Sequence, residues 1–435
     1  MALLDYSQWY ASVDSITGQI LRARIPRVAV GEICAIHASL FSDDVIGKAQ
    51  VVALSGDTAI MTVLHPVDGF RRECVVRATG DRVQVEMSVS KLGTVLDAGG
   101  LVVERLSDAM VSHDDQHTHS MPLDSMGPLY AERDPLTRPL WTGIRAIDGL
   151  LTCAIGQRIG IFAAAGSGKS SLLSMLVGGV DADVTIVALI GERGREVSEF
   201  VAGVRSSGRA GRTIVVYATS DQSAVERANA AKVAMAAAEF FRDKGARVVV
   251  YIDSLTRYAR AERDIALASG ELPVKRGYPL SVFDRLPKLI ERAGCTYSGS
   301  ITTFYTVLLE SEEEADLVAD EFRSLLDGHI YLSRKLTEIH HYPAIDILKS
   351  ASRLFNGVTT AEQQRMAAVF RQRLSKYQEL QVYIDMGEYR RGQNAENDQV
   401  LDRYERMRQF LVQSGGVWSS AEETQRLMHE ATATA

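Results

Sequence analysis

Short apolar runs separated by Gly-Asp turns fill the chain from about residue 15 to residue 90. In one of them, residues 58–63, apolar and β-branched residues follow directly on a Ser-Gly-Asp turn. Runs of this kind are typical of short strands joined by tight turns. This stretch therefore predicts a small β-barrel or sandwich.

The first residues of the chain follow a different period. Leu3, Tyr6, Tyr10 and Val13 recur at helical spacing, which predicts a short amphipathic segment. Such a segment either packs on the barrel of its own chain or docks on a partner protein. The sequence favours neither alternative.

From Trp141 to about Asn356, apolar runs typical of buried strands alternate with helical stretches such as residues 223–241. The predicted strands are residues 157–162, 184–190, 213–218, 248–252, 300–309 and 330–332. This alternation favours an α/β fold with a parallel sheet. After Thr359 the apolar residues keep a helical period to the end of the chain, which predicts a C-terminal helical domain.

Residues 106–140 between these regions are polar and contain four prolines. Proline stops regular elements, so we predict a linker or an extended crossing here. His113, His117 and His119 lie in this stretch beside two aspartates. Nothing in their spacing fixes a ligand geometry, and we therefore predict a solvated loop and no metal site.

Length and composition narrow the class of protein. A chain of 435 residues with 46% hydrophobic content can bury a large core and should divide into two or three domains. Its net charge of −7 disfavours nucleic acid as the main partner. The four widely spaced cysteines speak against a zinc site or a disulfide framework and favour a reducing cytosol. We expect neither an export signal nor a membrane span, so any membrane contact would be peripheral.

The clearest motif is a strand, a glycine loop and a helix in that order. The predicted strand leads into Ala-Ala-Ala-Gly-Ser-Gly-Lys-Ser, residues 163–170, with alanine where the usual pattern has glycine. Backbone N–H groups of such a loop and the following helix N-terminus bind phosphate oxygens. Lys169 is expected to reach the β- and γ-phosphates and the Ser170 hydroxyl to ligate Mg²⁺. The predicted contacts with ATP are Ala164, Ala165, Gly166, Ser167, Gly168, Lys169, Ser170 and Ser171.

A dinucleotide-binding loop is the other reading of these glycines. It needs a third glycine where Ser171 stands and has no required lysine. We therefore favour the ATP site.

Two further predicted strands end in candidate site residues, one for the metal and the other for catalysis. The segment 247–253 ends in Asp253, which we predict to organise Mg²⁺. Another strand delivers Glu192 and Arg193 to the carboxyl edge of the sheet, where ligands of open parallel sheets bind. Glu192 can orient and polarise the attacking water, and Arg193 can hold Glu192 or a phosphate oxygen.

These motifs closely resemble the type III secretion ATPases, in particular the injectisome ATPases of invasion-type systems. Besides the motifs above, the segments that carry the resemblance are residues 142–153, 253–260, 277–284, 327–334 and 341–346. The flagellar export ATPase and the catalytic β subunit of F-type ATP synthase are more distant relatives. Residues 106–135 match no pattern of the family.

The resemblance implies a homohexamer of three-domain subunits. Residues 1–91 would form the amphipathic segment and a β-barrel that helps to hold the ring. Residues 92–356 would form a RecA-like ATPase domain, and residues 357–435 a helical domain that faces the cargo.

Two site residues come from the resemblance alone. It implies that Tyr342 stacks on adenine and that Arg353 is an arginine finger that enters the neighbouring subunit's site. The second wall for the adenine stays open among Phe410, Val417 and Trp418.

The implied function is that of a cytoplasmic ATPase at the inner face of the inner membrane, which releases chaperones from effectors and unfolds or feeds the effectors into the export apparatus. The implied partners are a stator protein, a central stalk protein, the export gate and chaperone-effector complexes. One alternative is a flagellar protein export ATPase. A RecA-like nucleic-acid motor is disfavoured by the acidic balance, and a non-catalytic ring subunit by the carboxylate at Glu192.

Overall fold

A computed structural model describes residues 10–64, 70–71, 73–107, 117–310 and 317–433. Within these residues, six strands close into a barrel in the order β1-β2-β5-β4-β3-β6. They are β1 (Tyr10–Thr17), β2 (Ile20–Ala23), β3 (Glu32–His37), β4 (Val45–Ser55), β5 (Thr58–Val63) and β6 (Val75–Arg82). Alternate side chains such as Leu21, Met61 and Val76 are fully buried inside it. The predicted N-terminal barrel is confirmed.

The predicted N-terminal helical segment is not helical at the residues that the structure describes. Tyr10 and Val13 lie in β1, where Tyr10 pairs with Arg77 of β6 and Val13 with Ala23 of β2. A closed barrel requires partners on both sides of every strand, and this pairing outweighs the local period. The helical prediction is therefore wrong at these two residues, and residues 1–9 lie outside the described part.

The remaining strands and the helices follow along the chain. The strands are β7 (Gln84–Met87), β8 (Thr94–Leu96), β9 (Val102–Arg105), β10 (His119–Pro122), β11 (Arg133–Asp134), β12 (Pro139–Leu140), β13 (Cys153–Ala154), β14 (Arg158–Ala163), β15 (Val184–Glu192), β16 (Thr213–Thr219), β17 (Arg247–Asp253), β18 (Gly294–Thr296), β19 (Ser300–Leu308), β20 (Gly328–Tyr331) and β21 (Ala351–Ser352). The helices are α1 (Arg145–Leu150), α2 (Lys169–Gly179), α3 (Gly194–Ser206), α4 (Ala224–Asp243), α5 (Leu255–Ala268), α6 (Leu280–Ile290), α7 (Leu317–Leu325), α8 (Arg334–Glu338), α9 (Phe355–Val358), α10 (Ala361–Asp385), α11 (Ala395–Leu411) and α12 (Ala421–Thr432).

One large sheet forms the centre of the molecule. Among the described strands its main path runs β21-β20-β14-β19-β17-β15-β16-β8-β9. Every neighbouring pair from β20 to β8 is parallel. Because both faces are covered, β15 is buried along its whole length and β17 at every residue after Arg247, as their continuous apolar runs require. The six predicted strands and the α/β fold class are confirmed.

The order of the strands positions the candidate site. Strands β14, β19, β17 and β15 are consecutive neighbours and run in one direction. Their carboxyl ends, at Ala163, Leu308, Asp253 and Glu192, therefore lie along one short stretch of the sheet edge.

The stretch of residues 106–140 is extended, as predicted, but it also contains short paired strands. Within its described part, β10 pairs with β7, β11 with β18 and β12 with β13. The ring of His119 lies against Phe240, with 5.5 Å between the ring centroids. His113 lies outside the described residues.

The C-terminal helices form the predicted helical domain. Phe370 of α10 packs on Phe410 of α11 with 5.4 Å between the ring centroids. None of the helices in the described residues is long and apolar enough to cross a membrane. The divisions at 91/92 and 356/357 stay a prediction, which limited proteolysis can check.

Candidate active site

The loop between β14 and α2 has the backbone geometry of a phosphate cradle. Gly166 and Gly168 have φ angles of 78° and 83°, a region that other residues enter only with strain. The first intrahelical bond of α2 is donated by Leu172 N–H to the Gly168 carbonyl, at 3.1 Å. The N–H groups of Lys169 and of the next two residues therefore have no intrahelical acceptor. An anion at this position would receive them.

Lys169 lies between Asp253, the carboxylate predicted to organise Mg²⁺, and Glu192, the predicted catalytic carboxylate. Its Nζ is 2.7 Å from Asp253 Oδ1 and 3.1 Å from Glu192 Oε1. The side chains of all three residues are mostly buried. Burial lowers the pKa of Lys169, but the carboxylates of Asp253 and Glu192 outweigh that effect and raise the pKa above its ordinary value. The ammonium is therefore charged at physiological pH.

Asp253 is fixed from the neighbouring strand as well. The Thr306 hydroxyl on β19 donates a hydrogen bond to Asp253 Oδ1 at 2.6 Å. Only one of the two carboxylate oxygens is engaged in this way and by Lys169. The second oxygen, together with the exposed Ser170 hydroxyl, supplies the kind of oxygen ligands that Mg²⁺ prefers.

Glu192 is held by an arginine, but the arginine is not Arg193. Arg257 Nη1 lies 2.7 Å from Glu192 Oε2 and also donates a hydrogen bond to the Gly191 carbonyl at 2.6 Å. Arg193 caps the start of α3 with an extended backbone, and its side chain is 77% exposed beside Glu196. The structure therefore does not bring Arg193 to Glu192, because the backbone at residue 193 turns its side chain to solvent.

Arg257 is the functional candidate that the sequence reasoning missed. It lies in the first turn of α5, four residues after Asp253. When a strand ends in a site carboxylate, the helix that follows it begins at the same sheet edge. A basic residue in the first turn of that helix therefore lies near the carboxylate. That spacing is the signal by which Arg257 could have been found.

A cavity of about 700 Å³ connects the loop with these side chains. Its charged lining residues within the described chain are Lys169, Arg257, Glu192, Glu196, Glu199 and Asp253. The charged side chains of the lining therefore carry a net negative charge, which by itself repels a triphosphate. A divalent cation would restore the balance, so the donor set fits Mg²⁺ bound together with ATP.

Tyr342 forms one wall of the same cavity. The ring lies close to the phosphate loop, because a Cβ added at Gly168 would be in van der Waals contact with it, at 3.4 Å. Of the three candidates for a second wall, Phe410 is buried, and Trp418 donates a hydrogen bond to the Met175 carbonyl at 3.0 Å. Neither these two nor Val417 is among the described residues that line the cavity.

Arg353 lies away from this cavity on the surface. The Arg353 guanidinium donates a hydrogen bond to the Arg323 carbonyl at 3.3 Å, and the Arg353 backbone N–H donates one to the Asp327 carbonyl. It is exposed and is not among the described residues that line the cavity. Any contact of Arg353 with a phosphate loop would therefore involve another subunit.

Replacing Arg257 by methionine is expected to slow ATP turnover more than it weakens ATP binding, which it lowers by removing one of the two cations that line the cavity. The guanidinium fixes the orientation of Glu192, and loss of such an orienting partner typically costs roughly 10- to 100-fold. Turnover and binding of a fluorescent ATP analogue are measured side by side. Arg260→Met, on the same helix but outside the cavity lining, is the matched control. Equal turnover of the two variants would show that Arg257 does not position Glu192.

Comparisons with known protein families match successive parts of the chain to domains of the same kind as those described above. The ATP synthase alpha/beta family, nucleotide-binding domain, matches residues 143–352, and the beta-barrel domain of the same family matches residues 13–80. The T3SS EscN ATPase C-terminal domain matches residues 359–430.

Individual relatives cover nearly the whole chain. The SPI-1 type 3 secretion system ATPase of Salmonella typhi is 49% identical over 96% of this chain and 96% of its own length. The flagellum-specific ATP synthase of Treponema pallidum is 40% identical over 93% of this chain and 89% of its own length. The assembled ATPase EscN of enteropathogenic E. coli, solved in complex with its central stalk EscO, matches at a TM-score of 0.86 and 39% identity over 97% of this chain and 100% of that chain.

Sequence, fold and site geometry thus agree: the chain belongs to the type III secretion system ATPases and is an ATP hydrolase.

Proposed function

We propose that the chain hydrolyses Mg²⁺-ATP at the cavity beside the phosphate loop, as one subunit of a homohexameric ring. The observation that carries the proposal is the position of Lys169 between Asp253 and Glu192 at adjacent strand ends. A lysine, two carboxylates and a glycine loop are the parts that phosphoryl transfer to water requires.

ATP binding changes the partners of Lys169. Phosphate oxygens replace the carboxylates around its ammonium, because a triphosphate carries more charge than either side chain. Asp253 and the Ser170 hydroxyl are then free to hold Mg²⁺, which when bound neutralises charge on the phosphates. Backbone N–H groups of residues 164–171 complete the phosphate contacts.

Glu192 orients and polarises the attacking water. Arg257 keeps one of its oxygens fixed, at 2.7 Å, so that the other faces Lys169 and the cavity. Because Arg257 holds Glu192, the remaining role for Arg193 is to bind a phosphate oxygen. Arg193 would reach that oxygen by giving up its ion pair with Glu196. Tyr342 stacks on the adenine at the end of the cavity.

The ring completes the site. Arg353 lies on the surface of its own subunit, and we infer that it enters the cavity of the neighbour as an arginine finger. The solved relative is itself described as assembled and as bound to a central stalk, which supports a ring with a stalk protein for this chain.

We further propose that hydrolysis releases chaperones from effectors and unfolds or feeds the effectors into the export apparatus. The partners would be a stator protein, a central stalk protein, the export gate and chaperone-effector complexes. The protein would work in the cytoplasm at the inner face of the inner membrane. A flagellar export role is the second candidate, favoured by the flagellum-specific relative.

Recovery of the full chain from its host lysate tests this proposal. We expect injectisome sorting proteins and chaperones to be recovered with it. A Glu192→Ala bait, expected to bind ATP without hydrolysing it, should retain the same set in the presence of ATP. Flagellar parts in place of injectisome parts would establish the second candidate, and RNA would overturn both.

A further inference from the structure

A threonine on the neighbouring strand limits how the Asp253 carboxylate can bind a metal. The ladder between the parallel strands β17 and β19 pairs Ile252 with Tyr305. Asp253 and Thr306 are the next two residues along this ladder. Thr306 is buried, and its hydroxyl oxygen lies 2.6 Å from Asp253 Oδ1 and 3.3 Å from the Ile252 carbonyl oxygen. A hydroxyl has one hydrogen to donate, and the shorter distance assigns it to Asp253.

The two oxygens of Asp253 therefore have different surroundings. Oδ1 accepts hydrogen bonds from the Thr306 hydroxyl at 2.6 Å and from Lys169 Nζ at 2.7 Å. A carboxylate oxygen has about two lone-pair directions, and these two donors occupy them. Oδ2 accepts no hydrogen bond from the described residues, and the Asp253 side chain lines the ATP cavity. Asp253 thus offers a single oxygen to a metal ion.

A second contact keeps Thr306 in place. The N–H group of Leu308, two residues further along β19, donates a hydrogen bond to Thr256 Oγ1 at 2.8 Å. Thr256 is buried in the first turn of α5, three residues after Asp253. The end of β19 is in this way tied to the segment that carries Asp253. Because a β-branched side chain is stiff at χ1, the direction of the Thr306 hydroxyl is fixed as well.

ATP binding leaves Thr306 as the donor that holds Asp253. In the function proposed above, phosphate oxygens replace the carboxylates around Lys169. Thr306 is not among the described residues that line the cavity, so its hydrogen bond persists when ATP is bound. Bidentate coordination by Asp253 would then share Oδ1 between the hydroxyl and the metal, which weakens both contacts.

We propose that Thr306 is a positioning residue that makes the site selective for Mg²⁺ over Ca²⁺, an inference that rests on the proposed Mg²⁺-ATP site. Mg²⁺ requires near-ideal octahedral geometry and is usually bound by one or two carboxylates together with substrate phosphates. Ca²⁺ accepts bidentate carboxylates and flexible geometry. A carboxylate that offers one fixed oxygen therefore suits Mg²⁺. Without the Thr306 hydroxyl, Asp253 can turn and present either or both oxygens, which weakens binding of Mg²⁺ more than binding of Ca²⁺.

Thr306→Val tests this role, because it removes the hydroxyl and keeps the size and branching of the side chain. The dissociation constant of a fluorescent, non-hydrolysable ATP analogue is measured on the full chain with saturating Mg²⁺, with saturating Ca²⁺ and with EDTA. The ratio of the constants without and with a metal is the gain in affinity that this metal provides. In Thr306→Val we expect the gain from Mg²⁺ to fall by roughly tenfold and the gain from Ca²⁺ to fall less. The constant in EDTA should stay unchanged, because Thr306 does not line the cavity.

Three further variants serve as controls. Thr185→Val removes another buried threonine hydroxyl of the central sheet, one without a hydrogen-bond partner in the described chain, and should behave as the parent. Thr306→Ser keeps the hydroxyl and should keep most of the preference for Mg²⁺. Thr306→Cys has a weak donor of similar size and should change the gains in the same direction as valine. It replaces the valine variant if that variant does not melt cooperatively.

The outcomes separate this inference from the proposed function. If a cooperatively melting Thr306→Val protein keeps the parent's ratio between the Mg²⁺ gain and the Ca²⁺ gain, Thr306 does not select the metal. Equal losses in Thr306→Ser and Thr306→Val would also overturn the inference, because the hydroxyl would not be their cause. If the parent itself gains no affinity from Mg²⁺, the proposed Mg²⁺-ATP site is wrong and the inference is wrong with it.

Discussion

Lys169→Ala is expected to lose ATP binding and to lower turnover by roughly 10²- to 10³-fold. Lys169 and Arg257 are the two cations among the described residues that line a cavity containing four carboxylates. Without Lys169, the carboxylates of Asp253 and Glu192 face an incoming triphosphate with no ammonium between them. Binding of a fluorescent ATP analogue and release of phosphate measure the two losses.

Glu192→Ala should separate binding from chemistry. The change removes a negative charge from the cavity and leaves Lys169 and the glycine loop intact, so ATP should bind at least as well as in the parent. Hydrolysis should be lost because nothing then polarises the water. Glu338→Gln, at an exposed carboxylate on α8, is the charge control. Normal hydrolysis by Glu192→Ala would mean that Glu192 has a structural role only.

Folding has to be checked for Lys169→Ala. Removing the ammonium leaves Asp253 and Glu192 buried without it, and breaking a buried ion pair destabilises proteins by about 3–5 kcal/mol. Asp253 keeps the hydrogen bond from Thr306, and Glu192 keeps Arg257, which limits the loss here. A cooperative thermal transition of the variant would attribute the lost activity to the site.

The sequence predicts those parts of the fold that depend on local pattern. Buried parallel strands are continuous apolar runs, so β15 and β17 could be recognised with their ends at Glu192 and Asp253. The glycine loop could be recognised because its chemistry depends on neighbours in the chain. The sequence therefore predicts three site residues, Lys169, Glu192 and Asp253, that contact one another in the structure.

The rest depends on side-chain direction and on long-range packing. Arg193 and Arg257 are equally good partners for Glu192 by residue type, and only the turn of the backbone at the start of α3 and α5 decides between them. Tyr10 and Val13 have helical spacing in the sequence but lie in a strand, because their pairing within the barrel is a long-range interaction. No local pattern could show that Gln50 and Asn229 line one cavity, because that cavity forms only when the barrel packs on α4.

Arg353→Ala is expected to bind ATP nearly as well as the parent and to hydrolyse it poorly. Arg353 is exposed and lies outside the cavity lining of its own subunit, so we expect it to act on the site of a neighbour. An arginine finger acts mainly on charge that develops in the transition state and is worth roughly 10³ to 10⁵ in rate. Activity per subunit should accordingly rise with protein concentration as rings assemble.

Mixing Arg353→Ala with Lys169→Ala provides the decisive measurement. Each variant is expected to be inactive alone, but an Arg353→Ala subunit offers an intact phosphate loop to a neighbour that still carries Arg353. In a random ring of equal parts, about a quarter of the interfaces then contain one complete site. Partial recovery of ATP hydrolysis is therefore expected. Mixing Lys169→Ala with Glu192→Ala is the matched control, because both changes affect the same side of the interface and no complete site can form. If rings proven to contain both Arg353→Ala and Lys169→Ala subunits stay inactive, Arg353 acts within its own subunit or has no part in hydrolysis.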